Sequence, residues 1–217
     1  MGIGEKKEPQ TLRRRREEEK KRSVRREVFS WIRMFVIVIA VVFVSLRFII
    51  INAVIPSGSM ETTIMTKDRL IGFRFSYWFA DPERGDIVLF AYPLDESQTY
   101  IKRVIGLPGE TVDIEDGKIY IDGSETPLAE DYLPEEWYWE NDGYHLEVPE
   151  GCYFVMGDNR NDSADGRVWP EYARMQGLAS SEEDAQQYHF VERDKIKGKA
   201  IFTYFRHFRL LVHTADY

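Results

Sequence analysis

Apolar residues fall into one long block near the N-terminus and a series of short blocks after it. Twelve of the thirteen residues from 34 to 46 are apolar, and after Arg47 the run resumes over 48–51. Trp31 to Ile51 as a helix rising ~1.5 Å per residue extends about 31 Å, which matches the hydrocarbon core of a bilayer. Arg33 and Arg47 sit near its two ends, where long basic side chains reach the headgroups. No polar face interrupts residues 35–44, against a buried core helix. No small-x-small site follows Leu46 and the preceding basic region is long, against a cleaved leader. The pattern therefore predicts one transmembrane helix over residues 31–51.

Beyond it the blocks shorten to strand length. Ile87–Tyr92, 100–105, 111–114, Lys118–Ile121, Cys152–Met156 and 199–204 are rich in β-branched and aromatic residues and separated by turn signals. Asp116-Gly117 predicts a hairpin over 111–121. Residues 128–144 are rich in Trp, Tyr and acid without a period, which predicts irregular structure, and 170–187 reads as loop plus a short helix. The body is thus predicted to be mainly β.

Charge adds orientation. The chain carries −8 overall, yet residues 1–33 hold twelve Lys or Arg against six Asp or Glu. Basic flanks stay on the cytoplasmic side of a membrane, so the acidic body is predicted to lie outside. An acidic body repels phosphate, which argues against nucleic acid as a partner. The single cysteine, Cys152, cannot form an intramolecular disulfide, and the four histidines lie too far apart in sequence for zinc spacing. No metal or cofactor is expected.

Three segments carry candidate chemistry. Just after the apolar block comes Ile55-Pro56-Ser57-Gly58-Ser59-Met60, where Pro56 and Gly58 favour a turn presenting Ser59; by itself, Ser59 reads as a plain turn or cap residue. In Tyr100-Ile101-Lys102-Arg103-Val104-Ile105-Gly106-Leu107-Pro108-Gly109, strand alternation sends Lys102 and Arg103 to opposite faces, so one of them points to the core. A buried lysine loses affinity for its proton and becomes a general base that needs no histidine. In Gly157-Asp158-Asn159-Arg160-Asn161-Asp162-Ser163-Ala164-Asp165-Gly166-Arg167, two readings stay open: a buried polar network, or a solvated turn. Motifs of metalloproteases, nucleotide-binding loops and penicillin-binding proteins are missing.

These three segments, in this order after one membrane span, resemble the bacterial type I signal peptidases, the Ser/Lys leader peptidases. Lys67-Asp68-Arg69-Leu70 and Ile196-Lys197-Gly198-Lys199-Ala200 are similar to further boxes of that family, and the likeness covers roughly residues 30–205. Two positions depart from it: Thr62 replaces a usual proline and Gly166 a usual serine. The stretch 168–189 is also longer than usual.

The resemblance implies a fold and a site. The fold is a single N-terminal transmembrane helix followed by an extracytoplasmic antiparallel β-sheet catalytic domain. That domain comprises residues 52–110 and 150–210, with a small inserted β-rich region over 111–149 and a basic cytoplasmic tail over 1–30. Ser59 is implied as nucleophile and Lys102 as general base, with Ser163 bonding Lys102 and Ser57 completing the oxyanion site. Ile55, Pro56, Met60, Ile64 and Ile101 are implied to form the substrate pocket, and Arg103, Asp158, Asp165 and Arg167 the supporting ion pairs. The implied substrates are preprotein signal peptides, cleaved at the plasma membrane with the lipid bilayer and a secretion translocon as partners. Competing readings are a self-cleaving Ser/Lys protease of the repressor type, an inactive homologue, and a membrane-tethered β-domain that binds without cutting.

Overall fold

The computed structural model describes residues 10–137 and 143–211. Two compact units meet in sequence between Phe48 and Ile49. The first is helix α1, Gln10–Val44, prolonged by a π-helical turn, Ser45–Ile49. Residues 1–9 of the expected tail lie outside the described residues. The rest of that tail is helical, because its Glu, Lys and Arg residues are good helix formers and nothing breaks the run. Apolar side chains from Met34 to Val44 are exposed, Phe35 at 61% and Ile39 at 65%. Among the described residues this is the one helix long and apolar enough to cross a membrane. It ends earlier than the composition suggests. Ile50 and Ile51 belong to strand β1, Ile50–Val54, where they pair with Phe73 and Gly72.

The second unit is mainly β. Strands β2 (Arg69–Phe73), β3 (Ile87–Tyr92), β4 (Asp95–Gly106), β5 (Thr111–Glu115) and β6 (Lys118–Ile121) follow in order. Then come β7 (Tyr144–Glu147), β8 (Cys152–Met156), β9 (Phe190–Glu192), β10 (Ile196–Phe205) and β11 (Arg209–Leu210). The large antiparallel sheet runs β1-β2-β10-β3-β4-β8-β9, with β11 beside β10. A three-stranded sheet, β6-β5-β7, forms between β4 and β8 in the chain. Its hairpin turns at Asp116-Gly117, both with positive φ.

Strand β3 is buried at all six positions, because the large sheet is covered on both faces. Val88 and Phe90 join one core with Val104, Val155 and Trp169, whereas Ile87 and Leu89 join another with Ile55, Met60, Ile64, Leu70 and Ile101. Trp169 opens helix α2, Trp169–Met175, which with α3, Glu182–Ala185, makes up much of the long 168–189 stretch. Its ring is fully buried and packs 5.9 Å from Phe90 and 5.6 Å from Tyr92. That stretch therefore roofs a core. The small sheet adds a third core, in which Val112, Ile114 and Ile119 pack with Phe154 and Met156.

Candidate active site

The Ser59 turn follows β1 and is held from several sides. Ile55 donates to Asp68 O at 3.0 Å and Lys67 to Ile55 O at 2.7 Å, closing the loop that carries it. Met60 and Ile64 are fully buried, and Ile64 N–H donates to Met60 O at 2.8 Å. From the facing loop, Asn159 N–H donates to Ser59 O and its side-chain Nδ2 to Gly58 O, both at 3.1 Å. Where the proline is missing, Arg209 Nη1 donates to the Thr62 and Thr63 carbonyls, and the Glu61 carboxylate accepts from the Thr66 hydroxyl at 2.7 Å.

Lys102 comes from the middle of β4. Its Nζ lies 2.6 Å from Ser59 Oγ, and both residues are buried. A charged Nζ donates to Oγ; when the amine is neutral the hydroxyl can donate to its lone pair instead. Burial pulls the Lys102 pKa down to about 8, while the carboxylates of Asp165 and Asp158 resist from a distance. The arrangement thus offers a hydroxyl and an amine that is partly deprotonated near neutral pH.

Arg103, the next residue, is also buried, so both faces of β4 bury a basic side chain and the choice of one over the other does not arise. Arg103 Nε and Nη2 donate to the two Asp158 oxygens at 2.8 and 2.6 Å, a bidentate pair. Arg167 Nε and Nη2 do the same to Asp165 at 2.8 and 2.9 Å. Burial works against ionised Asp165, but Arg167 and the Gly157 N–H hold its pKa below the usual carboxylate range. Of the two readings of residues 157–167, the buried network is the one the fold realises.

Other expected site residues divide. Ser57 Oγ lies 3.5 Å from Ser59 Oγ, at the limit of a hydrogen bond. Ser163 does not bond Lys102: its Oγ is buried without a hydrogen-bond partner, in the space that a side chain at Gly157 would need. A side chain at 157 would collide with Ser163 and the Ser59 carbonyl, so glycine lets this loop approach the nucleophile turn. A cleft of about 430 Å³ opens beside the pair, lined by Pro56, Ser57, Ser59, Thr99, Ile101 and Lys102 among others. Ile55, Met60 and Ile64 do not line it. They lie beneath in the core with Ile101, because the turn directs Met60 and Ile64 inward to anchor itself.

The cleft runs along a free strand edge. Residues 99–103 pair with β3 on one side, while β8 pairs with β4 only from Arg103 onward. Among the described residues no strand occupies the other side of 99–102. Two contributors to the site's surroundings carry no signal in the sequence pattern, Glu130 and Tyr132, which meet the arginines of the second and third segments. Arg160 Nη1 donates to Glu130 Oε2 at 2.9 Å, and the Tyr132 ring lies 3.8 Å from the Arg103 guanidinium. Only pairing acids with arginines across the sequence could have found them.

A hydroxyl paired with a buried amine beside an open strand edge is the equipment of a serine-type peptidase. The sequence profile of the signal peptidase family, peptidase S26, matches residues 28–205. This chain belongs to that family and is a peptide-bond hydrolase. It is 38% identical over 158 residues to a probable signal peptidase I-1 of Synechocystis sp. (strain ATCC 27184 / PCC 6803 / Kazusa), covering 70% of this chain and 69% of that one. It is 42% identical over 125 residues to a signal peptidase I of Leptolyngbya laminosa, covering 53% and 58%. A crystal structure of a signal peptidase I from Enterococcus faecalis V583 is 33% identical, with a TM-score of 0.41 over 55% of this chain and 97% of that one.

Proposed function

We propose that this protein is a membrane-anchored signal peptidase that removes N-terminal signal peptides from secreted preproteins by a Ser59–Lys102 mechanism. The observation that carries the reading is the buried 2.6 Å contact between Lys102 Nζ and Ser59 Oγ at the edge of the cleft. Neutral Lys102 takes the Ser59 proton as Oγ attacks the scissile carbonyl. The Ser59 N–H and the Ser57 hydroxyl are the donors for the oxyanion. Collapse of the tetrahedral intermediate breaks the C–N bond, and Lys102 returns the proton to the leaving amine. Water, deprotonated by the same Lys102, then attacks the acyl-enzyme and frees Ser59.

The substrate enters as an added strand along residues 99–102, facing the 56–59 turn across the cleft. Pro56 and Ile101 leave room for small side chains. Helix α1 is the anchor, with its basic N-terminal flank in the cytoplasm. A nucleophile ten residues beyond Ile49 in the chain suits a substrate whose own apolar helix lies in the bilayer. The test is cleavage of a preprotein by the purified full chain in liposomes, beside Ser59→Ala and Lys102→Met. Cleavage after a small-x-small site that either change abolishes is expected. No cleavage of any of several preproteins by the folded, unmodified protein overturns the reading.

A further inference from the structure

The chain leaves β6 with Leu128 N–H bonded to Ile119 O at 2.7 Å, then crosses to the loop that holds the nucleophile turn. Along this path, residues 128–137 touch three arginines of the site, Arg103, Arg160 and Arg167. Glu130 pairs with Arg160 through both terminal guanidinium nitrogens, Nη1 and Nη2, with side chains only 6% and 1% exposed. Tyr132 OH donates to Glu130 Oε1 at 2.6 Å while its ring covers Arg103. Burial, reinforced by Glu130, keeps that phenol protonated and so a donor. Trp137 lies over Arg160 at 4.6 Å and Arg167 at 5.5 Å. Asn161 Nδ2 donates to Glu135 Oε1 and Glu136 O, both at 2.9 Å.

Arg160 in turn holds the loop that meets the nucleophile turn. Its Nε donates to Gly157 O at 3.0 Å, and its own carbonyl accepts from Arg167 at 2.8 Å. Between Gly157 and Arg160 stands Asn159, whose two bonds hold Ser59 O and Gly58 O. A short relay therefore runs from Glu130 through Arg160 and the 157–159 backbone to the turn that carries Ser59.

We propose that Glu130, oriented by Tyr132, is a positioning residue for the reaction at Ser59, a proposal that rests on the Ser59–Lys102 reading. An arginine this deeply buried needs a counter-charge. Without Glu130, the Arg160 guanidinium turns toward water and releases Gly157 O, and the Asn159 clamp loses its register. Misplacing a nucleophile by about 1 Å is enough to lower a rate on the order of a hundredfold.

The test compares the full-length protein with Glu130→Ala, Glu130→Gln and Tyr132→Phe in detergent, following amide hydrogen exchange and preprotein cleavage. In Glu130→Ala, exchange is expected to rise selectively at residues 58–61 and 157–160, with kcat down about tenfold to a hundredfold and KM within about twofold. Glu130→Gln, whose amide oxygen still accepts from Arg160, is expected to restore most of kcat. Unchanged exchange at those amides, or a general rise in exchange with kcat per folded molecule unaltered, overturns the proposal. A change in KM alone does so too, since it makes the segment a substrate contact. If Glu130→Ala does not fold, Tyr132→Phe decides by the same amides. If the unmodified protein cleaves nothing, the peptidase reading fails, and exchange still shows whether Glu130 holds the turn.

Discussion

Lys102 and Arg103 are neighbours on one strand, equally buried, and treated in opposite ways. Arg103 receives a bidentate carboxylate from Asp158 and an aromatic face from Tyr132, so its charge is permanent and fully matched. Lys102 receives a neutral hydroxyl, and among the described residues no carboxylate comes within ion-pair distance of it. Withholding a partner makes a buried base reactive, and supplying one makes a buried cation structural. Alternation of β4 lets both outcomes arise one residue apart.

The largest test of this contrast is on the matched side. Asp158→Asn leaves Arg103 buried with half its partner, and a loss of about 3–5 kcal/mol in urea-induced unfolding of the body is expected. A loss below about 1 kcal/mol would mean that Arg103 is compensated elsewhere. On the unmatched side the sign reverses. The Lys102 pKa is about 8 when folded and 10.5 as an ordinary lysine, so at neutral pH the folded state carries the cost of burying a charge. Stability from this group is lowest below pH 8, rises between 8 and 10.5, and is level above. Lys102→Met is therefore expected to stabilise at pH 7 by up to about 3 kcal/mol and to lose that gain by pH 10.5, read by melts at both pH values. In the intact protein, kcat/KM for a preprotein is expected to climb about tenfold per unit below pH 8 and to flatten above it.

Smaller effects sharpen the picture at the loop that completes both faces. A Cβ at Gly166 would lie 2.5 Å from the His189 carbonyl and 2.8 Å from Phe154. His189, whose Nδ1 lies 2.6 Å from Gly166 O, closes the long 168–189 stretch against this point. Gly166→Ser, the residue the family pattern favours, is thus expected to cost about 1–3 kcal/mol in thermal unfolding. A neutral result would show that the stretch yields. Least of all, breaking the exposed Lys195–Glu96 pair by Lys195→Ala is expected to leave the thermal unfolding midpoint unchanged within error, since water already matches those charges.

What could be read in advance follows from where each signal is stored. Ile87–Tyr92, Lys118–Ile121 and Cys152–Met156 have the same bounds as the apolar runs, because each run is a strand closed off by turn residues. Arg69–Phe73 and Phe190–Glu192 give no such signal: Gly72 interrupts the apolar run of the first, the second is only three residues long, and pairing with β10 and β8 is what makes them strands. At the site, Ser59 and Lys102 stand out by motif and the fold brings them together. Ile55, Met60 and Ile64, expected at the pocket from the resemblance, lie in the core beneath the cleft, and a turn has no alternation that would reveal which way its side chains point. Glu130 and Tyr132 were invisible: their meaning lies in arginines some 30 residues away.

The unpaired edge at residues 99–102 has a thermodynamic consequence in the proposed role. Before a peptide arrives, those amides and carbonyls are hydrated, so each main-chain bond made on binding replaces bonds to water and contributes only about 1 kcal/mol. Such bonds are the same for every sequence. Affinity drawn from the edge is modest and indiscriminate, so selectivity in that role has to come from the side chains that line the cleft beside Ser59, Pro56 and Ile101 among them.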